Sequence, residues 1–189
     1  LRPLTPVAPR EGPPGHARFI SRCHWLLSHG GGLAIFGTNS EAASLSVRER
    51  MALMDVLIEA GIPAAKMMPG TGACAISDAV ALTRHALQHR VPGVLVIPPF
   101  FFKGISEDGL FAYYSELIEG VGDAQPPAYL YHIPQLSPAP LSLGLIERLL
   151  YLFPKSIPGV KDPSTELCTI SAILEPFASY VFTVFLASL

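Results

Sequence analysis

The chain has 189 residues, half of them hydrophobic and 15% charged, with a mean hydropathy of +0.40; it has the material for a buried core and not the composition of a disordered chain. A formal charge of -2 and a pI near 6.3, with no cluster of Lys and Arg among aromatics, exclude nucleic acid as an expected partner. Three cysteines, Cys23, Cys74 and Cys168, are widely spaced and lack CxxC spacing, so they read as buried thiols of a reducing compartment with no metal on them.

The opening Leu1-Arg2-Pro3-Leu4 lacks the features of a signal peptide, and no apolar run is long enough for a membrane span. A cytoplasmic protein without a membrane partner is expected. Leu4 to Ala8 reads as a first strand running into the Pro/Gly-rich segment 9–15. From His16 the apolar positions recur at helical spacing through Phe19, Ile20, Cys23, Trp25, Leu26 and Leu27, and Gly30-Gly31-Gly32 stops the helix. Leu33 to Phe36 is a second strand, ending in Gly37-Thr38-Asn39-Ser40-Glu41. Ser46 with Glu49 forms a capping box for a helix through Met51, Leu53, Met54, Val56, Leu57 and Ile58 to Gly61.

The alternation then repeats. Residues 64–68 are a third strand entering Gly70-Thr71-Gly72, and a helix runs from Ser77-Asp78 to about Gln88. Residues 93–97 are a fourth strand, stopped by Pro98-Pro99, with a helix from about Glu107 to Gly120. Residues 128–134 are the fifth strand, with a helix from Ser142 to Phe153. The sixth ends in Gly159-Val160-Lys161-Asp162, followed by a helix from Glu166 to Phe177 and a seventh strand at 180–186.

Seven apolar runs alternating with six helices indicate a parallel α/β sheet wrapped in helices. No GxGxxG or Walker loop follows any strand, which disfavours an open nucleotide-binding sheet. The alternative is an eight-stranded (β/α) TIM barrel, which typically takes about 250 residues. The expectation is therefore one barrel domain over residues 1–189, incomplete at its C-terminal end, with an eighth strand and the last helices absent. Barrel sites lie at the carboxyl ends of the strands; that rule gathers Thr38, Asn39, Thr71, Tyr131, His132 and Lys161 at one mouth.

Lys161 is the residue around which the chemistry turns. It closes a buried run, an odd place for a surface lysine, and strand alternation puts Gly159 on its face, leaving room for an approaching molecule. An amine attacks a carbonyl only when unprotonated, and a barrel mouth that lowers its pKa from about 10.4 supplies that form. A phenol such as Tyr131 can both donate and accept a proton. Plainer roles stand beside these: Lys161 ends a strand with its amine in water, Tyr131 is a core aromatic like Tyr129, and Thr38 caps a turn. Gly70 and Gly72 serve a tight turn rather than a phosphate cradle, His132 packs or makes a hydrogen bond, and Phe100-Phe101-Phe102 is wall or subunit contact.

Taken together, Gly37-Thr38-Asn39-Ser40-Glu41, Gly70-Thr71-Gly72, Tyr131-His132-Ile133-Pro134 and Gly159-Val160-Lys161-Asp162 resemble the dihydrodipicolinate synthase and N-acetylneuraminate lyase family of pyruvate-dependent class I aldolases. The resemblance covers nearly the whole chain. It implies a complete TIM barrel in the family, a Schiff-base lysine at Lys161, a catalytic tyrosine at Tyr131 and a substrate-carboxylate site at Thr38 and Asn39. It also implies a 2-oxo acid and an aldehyde as substrates, no cofactor or metal, and a homo-oligomer. A non-catalytic paralogue that binds 2-oxo acids is the rival reading.

Three departures from the family pattern stand out, the first two bearing on the substrate and the third on the turn. Pro99-Phe100-Phe101-Phe102-Lys103 stands where the synthases carry tyrosines, one of them completing a proton relay. Pro134-Gln135-Leu136-Ser137 lacks the arginine that binds the aldehyde's carboxylate, and Ser40 replaces a glycine. The first two point away from a true dihydrodipicolinate synthase and toward an N-acetylneuraminate lyase-like or 4-hydroxy-2-oxoglutarate aldolase-like enzyme.

Overall fold

Helical periodicity folds as the sequence predicts wherever a cap and an apolar stripe coincide. Helix α1 (His16–Ser28) buries Phe19, Cys23 and Leu26, one stripe at three- and four-residue spacing. In α2 (Val47–Glu59) the Ser46 side chain accepts from the Glu49 backbone while Glu49 accepts from the Ser46 backbone, so the capping box is complete. Helix α3 (Ile76–Gln88) starts one residue before the expected Ser77 and has no side-chain cap at Ala75. Ser106 caps α4 (Glu107–Val121) and Ser142 caps α5 (Leu143–Leu152), each accepting from the backbone N–H three residues on. The computed structural model describes residues 15–122, 126–139, 141–162 and 182–183. The expected strand at 4–8, the helix at 166–177 and Cys168 lie outside these residues.

The strands are shorter than the apolar runs that hold them. Strands β1 (Val94–Val96), β2 (Ala128–Tyr131), β3 (Gly159–Lys161) and β4 (Phe182–Thr183) form a parallel sheet in the order β1-β2-β3-β4. The expected second and third strands are reduced to parallel bridges, Leu33 with Met67 and Gly70 with Leu95. Two local causes account for this: Phe36 turns into the left-handed region at φ 55°, and residues Ala64–Lys66 wind into a 3-10 turn behind Pro63. Of seven expected strands, four are therefore described as strands, and two more runs pair only at single bridges.

Neighbours in space are neighbours in sequence all along this array, from the 33–36 run through 67–70 to β4. A doubly wound sheet reverses its order at a switch point; a barrel does not. Helices α3 and α4 pack together, as do α4 and α5, in the layer outside the sheet. Tyr114 of α4 is fully buried and its hydroxyl donates to the Val96 carbonyl of β1 at 3.4 Å. The core between the layers contains Leu26, Leu57, Leu117, Leu130, Leu149 and Val160, all fully buried, each stabilising by about 1.5–3 kcal/mol relative to exposure. Among the described residues, no helix is long and apolar enough to cross a membrane.

Candidate active site

Tyr131 is the last residue of β2 and Lys161 the last of β3, and they are register partners across the parallel ladder. Partners in a ladder share a face of the sheet. The Lys161 Nζ accordingly stands 3.3 Å from the centroid of the Tyr131 ring, with Tyr131 4% and Lys161 5% exposed. The ladder continues one step past them, His132 N–H donating to the Lys161 carbonyl at 2.9 Å. Neither side chain belongs to the main core: Tyr131 sits in a small separate cluster with Ile97, Ile133 and Phe100.

Thr38 reaches the same place from the far side of the array. Phe36, buried beside the Phe19 ring, makes its left-handed turn, and residues Thr38–Ser40 then form a 3-10 turn, with Glu41 also left-handed at φ 55°. Conformations of this kind cost about 1–3 kcal/mol and persist where the surroundings hold them. Here the holding element is Gly70, whose N–H donates to the Ile35 carbonyl at 2.7 Å. A Cβ on Gly70 would fall 2.2 Å from the Phe36 carbonyl oxygen, so only glycine lets the turn close. Gly72 plays the matching part against Ile97, whose backbone N and O would lie 2.7 and 2.6 Å from a Cβ there. With the loop so placed, the Thr38 hydroxyl and the Tyr131 phenol are 3.0 Å apart and share a hydrogen bond. The Ser40 substitution is absorbed without strain, because the left-handed residue of this turn is Glu41.

Burial sets the electrostatics of the pair. Loss of water pulls the Lys161 ammonium down to about 8, against the opposing charge of Asp162. Burial pushes the Tyr131 phenol above its usual value, partly countered by the bond to Thr38. The result is an amine with a sizeable neutral fraction beside a phenol that keeps its proton. A cavity of about 610 Å³ opens next to them, with Thr38, Tyr131, Phe100, Leu136 and Arg50 on its wall. Lys161 is not on that wall and meets it through the Tyr131 ring.

Three of the sequence-derived positions thus come together: Lys161, Tyr131 and Thr38. The fourth, Asn39, has its backbone in the 3-10 turn, while its side chain lies outside the described residues. Thr71, expected at the mouth, turns away instead: it is buried and its hydroxyl accepts from Thr83 of α3 at 2.9 Å. His132 is buried, and its Nδ1 accepts from the Leu141 N–H at 3.4 Å, a packing and hydrogen-bonding position. Phe100 is wall, whereas Phe101 and Phe102 are exposed and stacked edge to face. Of the expected buried thiols, Cys23 is buried and pushed up to about 11 by burial, but Cys74 is only half-buried and lines the cavity.

Sequence reasoning missed Arg50. It falls on the buried stripe of α2 with Leu53, Met54 and Leu57, and its guanidinium donates to the Gly70 carbonyl, bracing the glycine turn from the helix side. Burial holds it down at about 10, with Asp78 and Tyr113 opposing. The signal was present, since a cation at core spacing behind a capped helix start demands a buried acceptor. Among the described residues, no set of metal-ligating side chains converges at the mouth; the one set that does converge, Asp55 with His85 and His89, lies on α2 and at the end of α3.

Residues 23–184 match the family model described as the dihydrodipicolinate synthetase family. A protein of Chloroflexus aurantiacus named an uncharacterized DapA-like lyase is 34% identical over 169 residues, 85% of this chain and 54% of that protein. A 4-hydroxy-tetrahydrodipicolinate synthase of Methanococcoides burtonii is 33% identical over 145 residues, 76% of this chain and 47% of the synthase. In three dimensions the chain superposes on the dihydrodipicolinate synthase of Agrobacterium tumefaciens with a TM-score of 0.90 at 30% identity, covering 96% of this chain and 64% of the other. The chain therefore spans about half the length of the curated relatives it matches.

Proposed function

The chain belongs to the dihydrodipicolinate synthetase family, and on that premise we propose that it acts as a class I aldolase or lyase with Lys161 as the Schiff-base residue. The observation that carries this reading is a pair of contacts made by Tyr131 at the mouth: the amine 3.3 Å from its ring centroid and the Thr38 hydroxyl 3.0 Å from its phenol. In this reading the neutral amine adds to the keto carbon of pyruvate or a related 2-oxo acid. The carbinolamine oxygen takes a proton from the Tyr131–Thr38 pair and leaves as water, giving an iminium on Lys161. The phenolate left on Tyr131 takes a proton from the carbon next to the iminium, whose C–H electrons give an enamine; that carbon adds to an aldehyde, whose oxygen takes the proton back, and the reverse sequence releases the aldehyde. Hydrolysis returns the free lysine. Thr38 and the backbone N–H groups of its turn, with Asn39, orient the substrate carboxylate. The array completes as a TIM barrel in the whole protein, and the exposed Phe101, Phe102 and Leu136 beside the mouth support a homo-oligomer.

Burial favours chemistry here over simple binding. At pH 7 an amine with a pKa of about 8 is neutral in roughly one molecule in ten, whereas an ordinary lysine is neutral in about one in three thousand. A site that only bound a carboxylate would gain from a charged amine and lose by suppressing it. The rival, a non-catalytic paralogue that binds 2-oxo acids, draws its support from Phe100, which meets Tyr131 in the mouth cluster with a ring that relays no proton. Phe100 and the missing arginine between Pro134 and Ser137 also favour a substrate other than that of a true dihydrodipicolinate synthase.

Borohydride reduction in the presence of pyruvate tests the reading. The expected result is a stable secondary amine on the peptide containing Lys161, found by mass spectrometry, with loss of turnover. An unmodified Lys161 in the whole protein removes the Schiff base from the mechanism. Adduct formation with no turnover across a panel of 2-oxo-hydroxy acids and aldehyde pairs decides for the binding paralogue.

A further inference from the structure

Far from the mouth, on the outer helical layer, one side chain of α2 and two at the C-terminal end of α3 point at one spot. His85 lies in the last turn of α3 and His89 directly follows the helix, four residues on, so the two imidazoles share a face. Their ring centroids are 5.0 Å apart and nearly perpendicular at 76°. Asp55 faces them from α2, and its Oδ1 is 2.8 Å from the Nε2 of His85 and 2.8 Å from the Nε2 of His89. The His89 contact is an aligned hydrogen bond. The His85 contact is not: its Nε2 is buried, lies at hydrogen-bond distance from the same oxygen, and makes no hydrogen bond to any described residue.

A buried nitrogen without an aligned hydrogen bond, beside a carboxylate oxygen that another imidazole already uses, is a costly arrangement if the only occupant is a proton. It is a serviceable one for a cation that takes a lone pair from each of the three. We propose that Asp55, His85 and His89 form a binding site for a divalent transition ion of the zinc class, with water completing the coordination from the solvent side. Two imidazoles and one carboxylate suit a borderline ion, and magnesium or calcium would call for oxygen ligands throughout. The geometry is close to what such an ion requires. Tetrahedral bonds of about 2.0–2.1 Å set ligand atoms about 3.3 Å apart, so each 2.8 Å separation opens by about half an ångström. The three side chains are partly exposed, at 20% for His85, 24% for His89 and 43% for Asp55, so an ion has an entry path. Once bound, it ties α2 to the end of α3, the helix that also holds Thr71 through Thr83. The site is remote from Lys161 and independent of the Schiff-base reading.

Calorimetric titration of the chelator-treated whole protein with Zn²⁺, and a parallel Co²⁺ titration followed by its visible spectrum, test this. The expected result is saturable uptake at one ion per chain, a Co²⁺ spectrum of four- or five-coordinate type, and a melting temperature raised by Zn²⁺ but not by Mg²⁺. Asp55→Asn and the His85→Ala/His89→Ala pair are each expected to weaken Zn²⁺ binding more than tenfold and to abolish the Co²⁺ bands, while leaving the circular dichroism and the pyruvate–borohydride adduct on Lys161 unchanged. Absence of saturable Zn²⁺ uptake overturns the proposal. So does uptake that survives in the double histidine variant, which would place the ion elsewhere, or equal stabilisation by Mg²⁺.

Discussion

The mouth of the sheet and the outer helical face treat charge in opposite ways. On the outside, Arg148 of α5 meets Asp108 of α4 at 2.8 Å and lies over the Phe111 ring, and exposed groups find partners at little cost. At the mouth, Lys161 is 5% exposed and is brought down to about 8, while Tyr131 is pushed up. One region spends its ionisable groups on joining helices in water; the other holds an amine where its charge is disfavoured. The difference supports placing the proposed chemistry at the mouth, since suppressed charge on a lysine costs stability and leaves a larger neutral fraction of its amine.

The hardest blow to this contrast is removal of the phenol. If Tyr131 is the proton carrier, Tyr131→Phe keeps the ring that packs with Ile97 and Ile133 but deletes the group bonded to Thr38. A fall in kcat of about 10²–10⁴-fold is expected, with an unchanged circular dichroism spectrum and little change in substrate affinity. Near-normal turnover would make Tyr131 part of the packing alone, like the buried Tyr114 of α4.

A smaller effect, of the opposite sign, is expected on stability. In the unfolded chain Lys161 titrates at its ordinary value, and in the fold at about 8, so between these the unfolded state holds more protons and stability rises with pH. Below about 8 the full cost of burying the ammonium is present. Lys161→Met is therefore expected to stabilise the fold at pH 7 by on the order of 2 kcal/mol once the lost amine–ring contact is set against the relief. The advantage fades as the pH climbs toward 10.5. Urea unfolding at several pH values measures it, and a destabilised variant at pH 7 would mean that the mouth welcomes the charge as the outer face does.

How far the sequence revealed these two regions depends on what fixes each side chain. Lys161 was legible because it closes an apolar run, and the barrel rule put Tyr131 and Thr38 on the same side with Asn39, Thr71 and His132, but only the family resemblance singled those two out. Helices α2, α4 and α5 were legible from a serine cap ahead of an apolar stripe. Thr71 was misplaced because a residue in a turn has no periodicity to orient it, and its direction is set by Thr83, twelve positions away on α3. The second strand was overestimated for a similar reason: the left-handed Phe36 depends on the bare backbone of Gly70, a contact between distant runs, whereas the third is cut short locally by the 3-10 turn behind Pro63. The His85 and His89 spacing was readable, but Asp55 joins them only through the packing of α2 on α3.

The finest discrimination between the regions comes from the pH dependence of iminium formation. The rate of borohydride trapping with pyruvate follows the neutral fraction of Lys161. With the amine at about 8, that fraction climbs about tenfold from pH 7 to pH 9 and then levels. A lysine in water behaves differently over the same interval, gaining nearly hundredfold and continuing to rise toward its ordinary value of about 10.4. The neighbouring carboxylate provides an internal check on sign. The charge of Asp162 opposes the shift, so Asp162→Asn is expected to move the midpoint to lower pH, because a removed anion no longer supports the ammonium. A midpoint near 10 that ignores position 162 would mean that the amine leaves the Tyr131 ring for solvent in the working protein, and the mouth would then handle charge no differently from Arg148 outside.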